Sequence, residues 1–406
     1  MVRSSGAASL SAVLVAGCLA GATASCEGAA GAGCRGQRRE ATERAPTTDA
    51  AATGDSQTTS DWPMFRGGPE LAGATCARLP ETLTLRWTFK TGAAVVSSPA
   101  IAQERVYVGS QDHKIYALDL AKGSEIWSHT TGDAVDASPL VVADTVIVGS
   151  GDNHLYALEA TTGALRWRYQ TDANIPGAAN TWVGPTGRRL ILVGGYDGLL
   201  HAVDFVTGER AWAAVTEDRI NGAPAVTQGK VVFGGCDGIL HVLSTGDGRE
   251  TRAIDVGSYV PGSPAVAGGR AYVGHFGRRL LCVDLESGET LWTYEGGDDA
   301  YFAAAAVSST AVVMGCRDRK VHCVDRDTGR ARWTFITGGA VDCSPVICGD
   351  KVVVGSDDGR LYVLALRDGR MLWSYDLGDS IASSPAVAGG LVVVGCDDGR
   401  VYGFGK

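Results

Sequence analysis

Aspartate is the residue whose type and spacing first point to chemistry in this sequence. Carboxylate oxygens bind Ca²⁺ when several of them converge on one point. Four of the regularly spaced aspartates precede glycine, however, and Asp-Gly is a dipeptide that tight hairpin turns require. We therefore interpret this whole set as turn residues. Its members are Asp112, Asp152, Asp197, Asp237, Asp318, Asp357, Asp358, Asp397 and Asp398.

Two less regular stretches carry the candidate site. Residues 217–221 and 298–302 combine carboxylates with aromatic, amide and cationic side chains. Such a set suits a polar ligand, and it also suits a protein partner, because Tyr, Trp and Arg often supply much of the binding energy at interfaces. We predict a partner or ligand face made of Glu217, Asp218, Arg219, Asn221, Asp298, Asp299, Tyr301 and Phe302.

Other motifs that carry chemistry are not recognisable in the sequence. It shows no nucleophile–base pair, phosphate-binding loop, dinucleotide fingerprint or zinc spacing, so we predict no catalytic and no metal-binding residue. His201, His241 and His322 recur at a repeat position that tyrosine or leucine usually occupies, and we interpret them as packing residues. The formal net charge of −9 argues against a nucleic acid as partner.

These side chains must be positioned by a repeated element. Residues 106–127 contain a β-branched and aromatic strand, a turn and a second strand, and the pattern recurs about every 40 residues. A tryptophan marks nearly every copy, and Arg252 fills the one slot without tryptophan. The tryptophans are Trp87, Trp127, Trp167, Trp212, Trp292, Trp333 and Trp373.

Each copy contains four strand signals, which is the content of one propeller blade. Eight copies have a second strand that ends in glycine, from Gly109 to Gly395. We therefore predict an all-β, eight-bladed propeller of four-stranded antiparallel blades over residues 61–406. The last copy is one strand short and the Trp87 strand is one too many, so we expect the Trp87 strand to complete blade eight beside residues 383–404 and remove two free edges.

The N-terminus has the features of an export signal. A basic start and a short apolar stretch precede Val15-Ala16-Gly17-Cys18, which resembles the lipobox of bacterial lipoproteins and would place a lipid on Cys18. Ordinary cleavage after Ala24 is the alternative. We predict a signal peptide with lipobox over 1–18 and a flexible tether over 19–60. No later apolar run is long enough to span a membrane.

The sequence has 11 cysteines, which in an exported protein invites a disulfide framework. Most of them, however, occupy repeat positions that hold small residues in other copies, where cysteine acts as a compact apolar side chain. We therefore expect buried free thiols in the repeats. Cys26 and Cys34 lie in the predicted tether and could pair with each other or stay free.

The spacing Asp119…Gly123…Trp127, repeated at Asp204…Gly208…Trp212, Asp284…Gly288…Trp292 and Asp325…Gly329…Trp333, resembles the tryptophan-docking motif of the PQQ-like β-propeller repeat family. The resemblance implies a tryptophan packed between neighbouring blades. Residues 62–67 are also similar to the entry segment of short bacterial members. The copy with Ser244 and Arg252 departs from the motif, so its blade interface is expected to be the weakest.

The family has two branches with different implications. Its PQQ-dependent dehydrogenases hold the quinone in the central funnel beside a Ca²⁺ with Glu and Asn ligands and a catalytic Asp, and many have a disulfide between adjacent cysteines. No Cys-Cys pair exists in this sequence. The lipobox and the compact length resemble instead the outer-membrane barrel-assembly propeller lipoprotein.

The resemblance therefore implies a non-enzymatic scaffold, a monomeric ring without cofactor that binds envelope or outer-membrane assembly proteins. Lipidated Cys18, followed by Leu19, would anchor it to the outer membrane, facing the periplasm. The alternatives are a PQQ- and calcium-dependent alcohol or sugar dehydrogenase that uses Glu217, Asn221, Asp298 and Asp299, and a sensor domain for a small ligand in the funnel.

Overall fold

The computed structural model describes residues 61–406. The predicted signal peptide, the lipidation of Cys18, the tether and the cysteines Cys26 and Cys34 lie outside these residues and stay predictions. Within the described range, no helix is long and apolar enough to cross a membrane. All eight cysteines from Cys76 onward are free thiols, and six of them are buried.

The described chain starts with short elements that precede the repeats. A single 3₁₀ turn covers Phe65–Gly67, a two-residue strand β1 covers Ala74–Thr75, and a longer strand β2 covers Thr84–Lys90. Thirty-one further strands follow from β3 onward. They form eight four-stranded antiparallel sheets with β2 included, and β1 adds a parallel strand to the inner edge of one sheet.

The first four blades follow one another along the chain. Blade one contains β3 (Ala100–Ala102), β4 (Arg105–Ser110), β5 (Lys114–Asp119) and β6 (Glu125–Thr130). Blade two contains β7 (Leu140–Val142), β8 (Thr145–Gly149), β9 (His154–Glu159) and β10 (Leu165–Gln170). Blade three contains β11 (Asn180–Val183), β12 (Arg189–Gly194), β13 (Leu199–Asp204) and β14 (Arg210–Val215). Blade four contains β15 (Ala225–Thr227), β16 (Lys230–Gly234), β17 (Ile239–Ser244) and β18 (Glu250–Asp255).

The second half repeats the arrangement. Blade five contains β19 (Ala265–Ala267), β20 (Arg270–His275), β21 (Arg279–Asp284) and β22 (Thr290–Tyr294). Blade six contains β23 (Ala306–Val307), β24 (Ala311–Cys316), β25 (Lys320–Asp325) and β26 (Ala331–Ile336). Blade seven contains β27 (Val346–Cys348), β28 (Lys351–Gly355), β29 (Arg360–Ala365) and β30 (Met371–Asp376). Blade eight contains β31 (Ala386–Ala388), β32 (Leu391–Cys396), β33 (Arg400–Gly405) and, as its fourth strand, β2.

The predicted closure of the ring is confirmed. Strand β2 pairs antiparallel with β33, with Thr84 opposite Gly405 and Lys90 opposite Arg400. The pairing covers the outer edge of β33, which would otherwise expose unpaired backbone groups. The two ends of the described chain therefore complete one blade.

Adjacent blades are held together by the side chain of the repeated tryptophan. In six blades the indole N–H donates to a backbone carbonyl in the next blade, as Trp87 does to Leu120 at 2.9 Å and Trp333 does to Leu366 at 2.8 Å. A hairpin glycine of that next blade lies on the indole face. A Cβ at Gly123 would be 2.4 Å from the Trp87 ring, so only glycine fits, and its φ of +67° suits glycine as well.

Two blades make a different contact with the next blade at this position. In blade four the guanidinium of Arg252 donates to the Glu286 carbonyl of blade five, so arginine makes a hydrogen bond equivalent to that of the indole. In blade seven Trp373 faces blade eight, whose third and fourth strands come from opposite ends of the chain and share no hairpin. Trp373 packs on Phe404 instead, with ring centroids 5.5 Å apart.

The Ser-Pro motif forms a second ring of contacts around the axis. The Ser138 hydroxyl accepts from the Ser98 N–H at 3.0 Å, and the Ser384 hydroxyl accepts from the Ser344 N–H at 3.0 Å. The Ser98 hydroxyl accepts from the Ser384 N–H at 2.9 Å, which joins blade eight to blade one. These short side chains satisfy buried N–H groups that would otherwise cost about 1–3 kcal/mol each.

The glycine that ends each second strand receives the side chain of a following loop. At Gly395 an added Cβ would lie 2.4 Å from Val95 Cγ1 and 2.5 Å from the Val95 carbonyl oxygen. The equivalent loop residues are valine or isoleucine in seven of the eight positions. They are Val95, Val135, Ile175, Ile220, Val260, Val341 and Ile381, and Tyr301 is the eighth.

We expect Gly395→Ala to lower the free energy of unfolding by about 1–3 kcal/mol, because the added methyl overpacks this contact. Gly68→Ala is the matched control, since nothing lies within 4 Å of a Cβ there, and it should change stability by less than about 0.5 kcal/mol. Urea unfolding of both variants checks the pair. Equal effects would contradict the close-contact explanation.

Residues 62–75 run along the inside of the ring against the first strands of the blades, a feature that the sequence did not reveal. Backbone carbonyls of this segment accept from the first strands of six blades, starting at Ile101 and Val141 and ending at Ile347. Blade three donates instead through the Asn180 side chain, which reaches the Pro69 carbonyl at 2.8 Å. We call residues 62–75 the central segment. It links blades one to seven from the inside.

Candidate partner-binding face

Two kinds of loop lie on one face of the ring. The connections from each fourth strand to the next first strand share this face with the turns between second and third strands, because strand direction alternates in an antiparallel blade. We call it the funnel face. The opposite face, which we call the hairpin face, carries the turns that join first to second and third to fourth strands.

The central funnel is narrow. Its cavity of about 250 Å³ ends at Phe65 of the central segment and is surrounded mainly by glycine, alanine, serine and proline. Pockets for small ligands usually measure about 300–1,000 Å³ and are lined by larger apolar groups. The Ser-Pro ring and Phe65 therefore leave a small, largely polar depression.

Aromatic side chains and an arginine line one sector of the funnel face. Tyr259 stacks on Phe276 with ring centroids 4.3 Å apart, and Phe276 meets Phe302 edge-on at 6.3 Å. The Arg317 guanidinium lies 3.4 Å from the Phe302 ring centroid and pairs with Asp342 through two oxygens, at 2.9 and 2.7 Å. We call Tyr259, Phe276, Phe302 and Arg317 the aromatic strip. Phe276 is 45% exposed.

A second sector of the funnel face is acidic. Burial raises the pKa of Asp397, and the nearby charges of Asp379, Asp357 and Asp136 raise it further. One carboxylate oxygen of Asp397 is buried without a hydrogen-bond partner among the described residues. The funnel face therefore combines an apolar, cationic sector with a sector of crowded negative charge.

We expect Asp397→Asn to stabilise the protein at neutral pH by up to about 1 kcal/mol, a surface-scale effect. A carboxyl with a raised folded pKa costs stability while it is charged, and protonation relieves that cost. The gain should therefore be full above the folded pKa and vanish as the pH falls to about 4. Thermal unfolding at both pH values checks this. Asp172→Asn, which removes a carboxylate at an exposed position of the same face, is the matched control, and an equal gain there would contradict the explanation by burial and crowding.

The predicted face residues of the first stretch lie on the funnel face. Glu217, Asp218 and Arg219 are exposed, and the Arg219 guanidinium lies 5.3 Å from the Tyr196 ring centroid. Asn221 is half-buried, lines the funnel and donates to the Cys236 sulfur at 3.1 Å.

The second stretch divides between surface and core. Asp298 and Asp299 are exposed, and Asp298 binds Lys320 at 2.7 Å. Phe302 belongs to the aromatic strip. The prediction that Tyr301 belongs to an exposed face is wrong, because its side chain is fully buried. Tyr301 takes the slot that valine or isoleucine fills in the other blades, and that slot packs against a second-strand glycine.

The residues proposed for a quinone–calcium site do not converge in the funnel. Of Glu217, Asn221, Asp298 and Asp299, only Asn221 lines the cavity. The sole carboxylate in the lining, Asp342, is already paired with Arg317. Ca²⁺ requires six to eight oxygen ligands around one point, and the described residues do not offer such a set here.

The sequence interpretation missed three members of the aromatic strip, which are Tyr259, Phe276 and Arg317. Phe276 and Arg317 occupy the repeat position of Gln111, directly before the turn aspartate position. Aligning this position across all eight copies would have shown that its side chains point to one face. This repeat position therefore held the information, but because of the neighbouring aspartates we interpreted the region only as turns.

The sequence matches one family description over most of its length. The family model described as "Outer membrane protein assembly factor BamB" matches residues 72–196, 196–335 and 317–406. Comparison with curated proteins gives no significant match.

Solved structures from both branches share the fold. BamB from Moraxella catarrhalis is 20% identical, with a TM-score of 0.68 over 80% of this chain and 98% of that chain. Quinohemoprotein alcohol dehydrogenase from Comamonas testosteroni is 15% identical, with a TM-score of 0.70 over 86% and 81%. A europium-containing methanol dehydrogenase is 14% identical, with a TM-score of 0.71 over 86% and 99%. Such low identities establish the fold and leave activity to the site.

The matched segments run from residue 72 to residue 406, and the described residues form the predicted eight-bladed ring. The chain therefore belongs to the family of the outer membrane protein assembly factor BamB.

Proposed function

We propose that this protein is a non-enzymatic scaffold that binds envelope proteins through its funnel face, similar in role to outer-membrane assembly factors. The observation that carries the proposal is the aromatic strip. Its exposed Phe276 is supported by Tyr259 and Phe302, and Arg317 is fixed by Asp342. Aromatic and arginine side chains held in place before binding lose little entropy on complex formation and often dominate interface energetics.

The two sectors also suggest the chemistry of the partner. A segment with apolar side chains suits the aromatic strip. Lys or Arg side chains of the same partner would neutralise the crowded carboxylates of Asp136, Asp357, Asp379 and Asp397. We propose that the protein is exported and lipid-anchored at the outer membrane through Cys18, which would place the ring beside such partners.

Photo-crosslinking in the producing cell tests the proposal. A photoreactive residue at position 276 should crosslink to specific envelope proteins, and Phe302→Ala or Arg317→Ala should reduce the yield several-fold. The matched control is position 206 on the hairpin face, where Val206 is 80% exposed. Equal crosslinking from positions 276 and 206 would contradict a partner site on the funnel face.

A separate measurement tests the dehydrogenase alternative. Purified protein is mixed with PQQ and Ca²⁺, freed of unbound cofactor, and assayed by absorbance and by dye-coupled alcohol oxidation. We expect no stoichiometric retention, because the funnel is small and its lining holds few oxygen ligands. Retention with turnover would overturn the scaffold proposal, whatever the crosslinking shows.

A further inference from the structure

Seven blades share a hydrogen bond from the third strand to the turn before it. In four blades a tyrosine hydroxyl donates to an aspartate four residues earlier, as Tyr402 does to Asp398 at 2.7 Å. In the other three a histidine takes the place of tyrosine, and His322 Nε2 lies 3.1 Å from Asp318 Oδ2. This shared structural role accounts for Asp318 and His322, but it does not account for what surrounds them in blade six.

Blade six adds a thiol to this pair. Its second strand ends at Cys316, where blades one, two and seven have Ser110, Ser150 and Ser356. The ligand atoms of Cys316, Asp318 and His322 all lie within 4.8 Å of one another. The side chains of His322 and Asp318 are 0% and 2% exposed, and Cys316 is fully buried. Among residues 61–406, this is the one grouping of three or more such ligands.

A second observation points to a ligand at the same place. Tyr301 is fully buried, and its hydroxyl has no hydrogen-bond partner among the described residues. Its ring meets the His322 ring edge-on at 5.8 Å, and the Cys316 thiol and the Asp318 carboxylate lie nearby. A buried hydroxyl without a partner costs about 1–3 kcal/mol, and the other seven blades avoid that cost with valine or isoleucine.

We propose that Cys316, Asp318 and His322 bind a Zn²⁺ ion. Thiolate, carboxylate and imidazole are the three ligand types that Zn²⁺ accepts together. Ca²⁺ and Mg²⁺ select oxygen ligands, and Cu⁺ selects softer sets of sulfur. Three protein ligands leave a fourth position for water, and the unpaired Tyr301 hydroxyl is available to bond such a water.

Binding requires small rearrangements that the local contacts allow. The Cys316 thiol, which lies 3.2 Å from the Asp299 carbonyl, releases its proton to solvent as its sulfur coordinates. The His322 proton moves from Nε2 to Nδ1, which lies 3.0 Å from the Tyr294 hydroxyl and can donate to it. Such an outer hydrogen bond orients a metal-binding imidazole. Lys320, 3.3 Å from Asp318 Oδ2, keeps its shorter bond to Asp298.

Metal binding by the purified full chain tests the proposal. After removal of metal with a chelator, the protein should retain one equivalent of Zn²⁺ through buffer exchange. Co²⁺ in its place should give thiolate charge-transfer absorption and the visible bands of a tetrahedral site. Cys316→Ser, which introduces the residue of blades one, two and seven, should abolish the charge-transfer band and weaken Zn²⁺ binding by at least about 100-fold.

Two further variants separate this site from the other thiols and from folding defects. His322→Tyr gives blade six the Cys–Asp–Tyr set that blade eight holds at Cys396, Asp398 and Tyr402, so it should fold and lose the metal. Cys396→Ser should leave binding unchanged. Failure to retain Zn²⁺, a charge-transfer band that survives Cys316→Ser, or equal loss in Cys396→Ser would each overturn the proposal.

Discussion

Replacing Trp87 by alanine is expected to lower the free energy of unfolding by about 3–5 kcal/mol, the usual cost of deleting a buried tryptophan. The Trp87 side chain is buried, donates to the Leu120 carbonyl and is covered by Gly123. It also lies on β2, the strand that closes the ring. The substitution therefore weakens the contact between blades eight and one, and it does so on a strand that no covalent hairpin joins to its neighbour β33 within blade eight. Urea unfolding measures the effect.

Trp373→Ala is the matched control at the same repeat position. Trp373 is only half-buried, and blade eight offers it no hairpin glycine. It should therefore cost clearly less than Trp87→Ala. Equal losses would show that docking of the indole into the next blade does not determine the contribution of this position.

Deleting the central segment is expected to have the largest effect. A chain that starts at Ala77 loses the backbone acceptors of first-strand N–H groups in six blades. It also loses the buried side chains of Trp62, Met64 and Leu71. Each unpaired buried N–H costs about 1–3 kcal/mol, while domains are stable by only about 5–15 kcal/mol. We expect the truncated chain to lose its cooperative unfolding transition.

A chain that starts at Asp61 is the control for this truncation, because it keeps every contact described here. Its melting temperature should match that of the full chain. If the chain starting at Ala77 melted at the same temperature as the chain starting at Asp61, the central segment would contribute no net stability. Calorimetry and near-ultraviolet circular dichroism of the two chains decide between these outcomes.

The repeated features could be predicted from the sequence because each recurs with the same spacing. The glycines that end the second strands, the Ser-Pro pairs and the tryptophans gave the number of blades, the strand content and the closure by β2. A propeller blade is a local unit, formed by strands adjacent in sequence. Periodicity therefore carries nearly all the information that the fold requires.

Partners far apart in the chain were decided only by the tertiary structure. The motif Asp119…Gly123…Trp127 is contiguous in sequence, yet Gly123 covers Trp87 of the preceding blade and Trp127 packs against Gly163 of the following one. The central segment has no periodicity, because it passes from blade to blade along the inside of the ring and meets each blade through different residues. Contacts on the funnel face were also decided by the tertiary structure. Tyr301 is buried because its repeat position packs against a second-strand glycine. Phe276 and Phe302, which are 26 positions apart in the sequence, meet on this face. Sequence spacing determines what one blade contains, whereas contacts between blades depend on how the ring brings distant residues together.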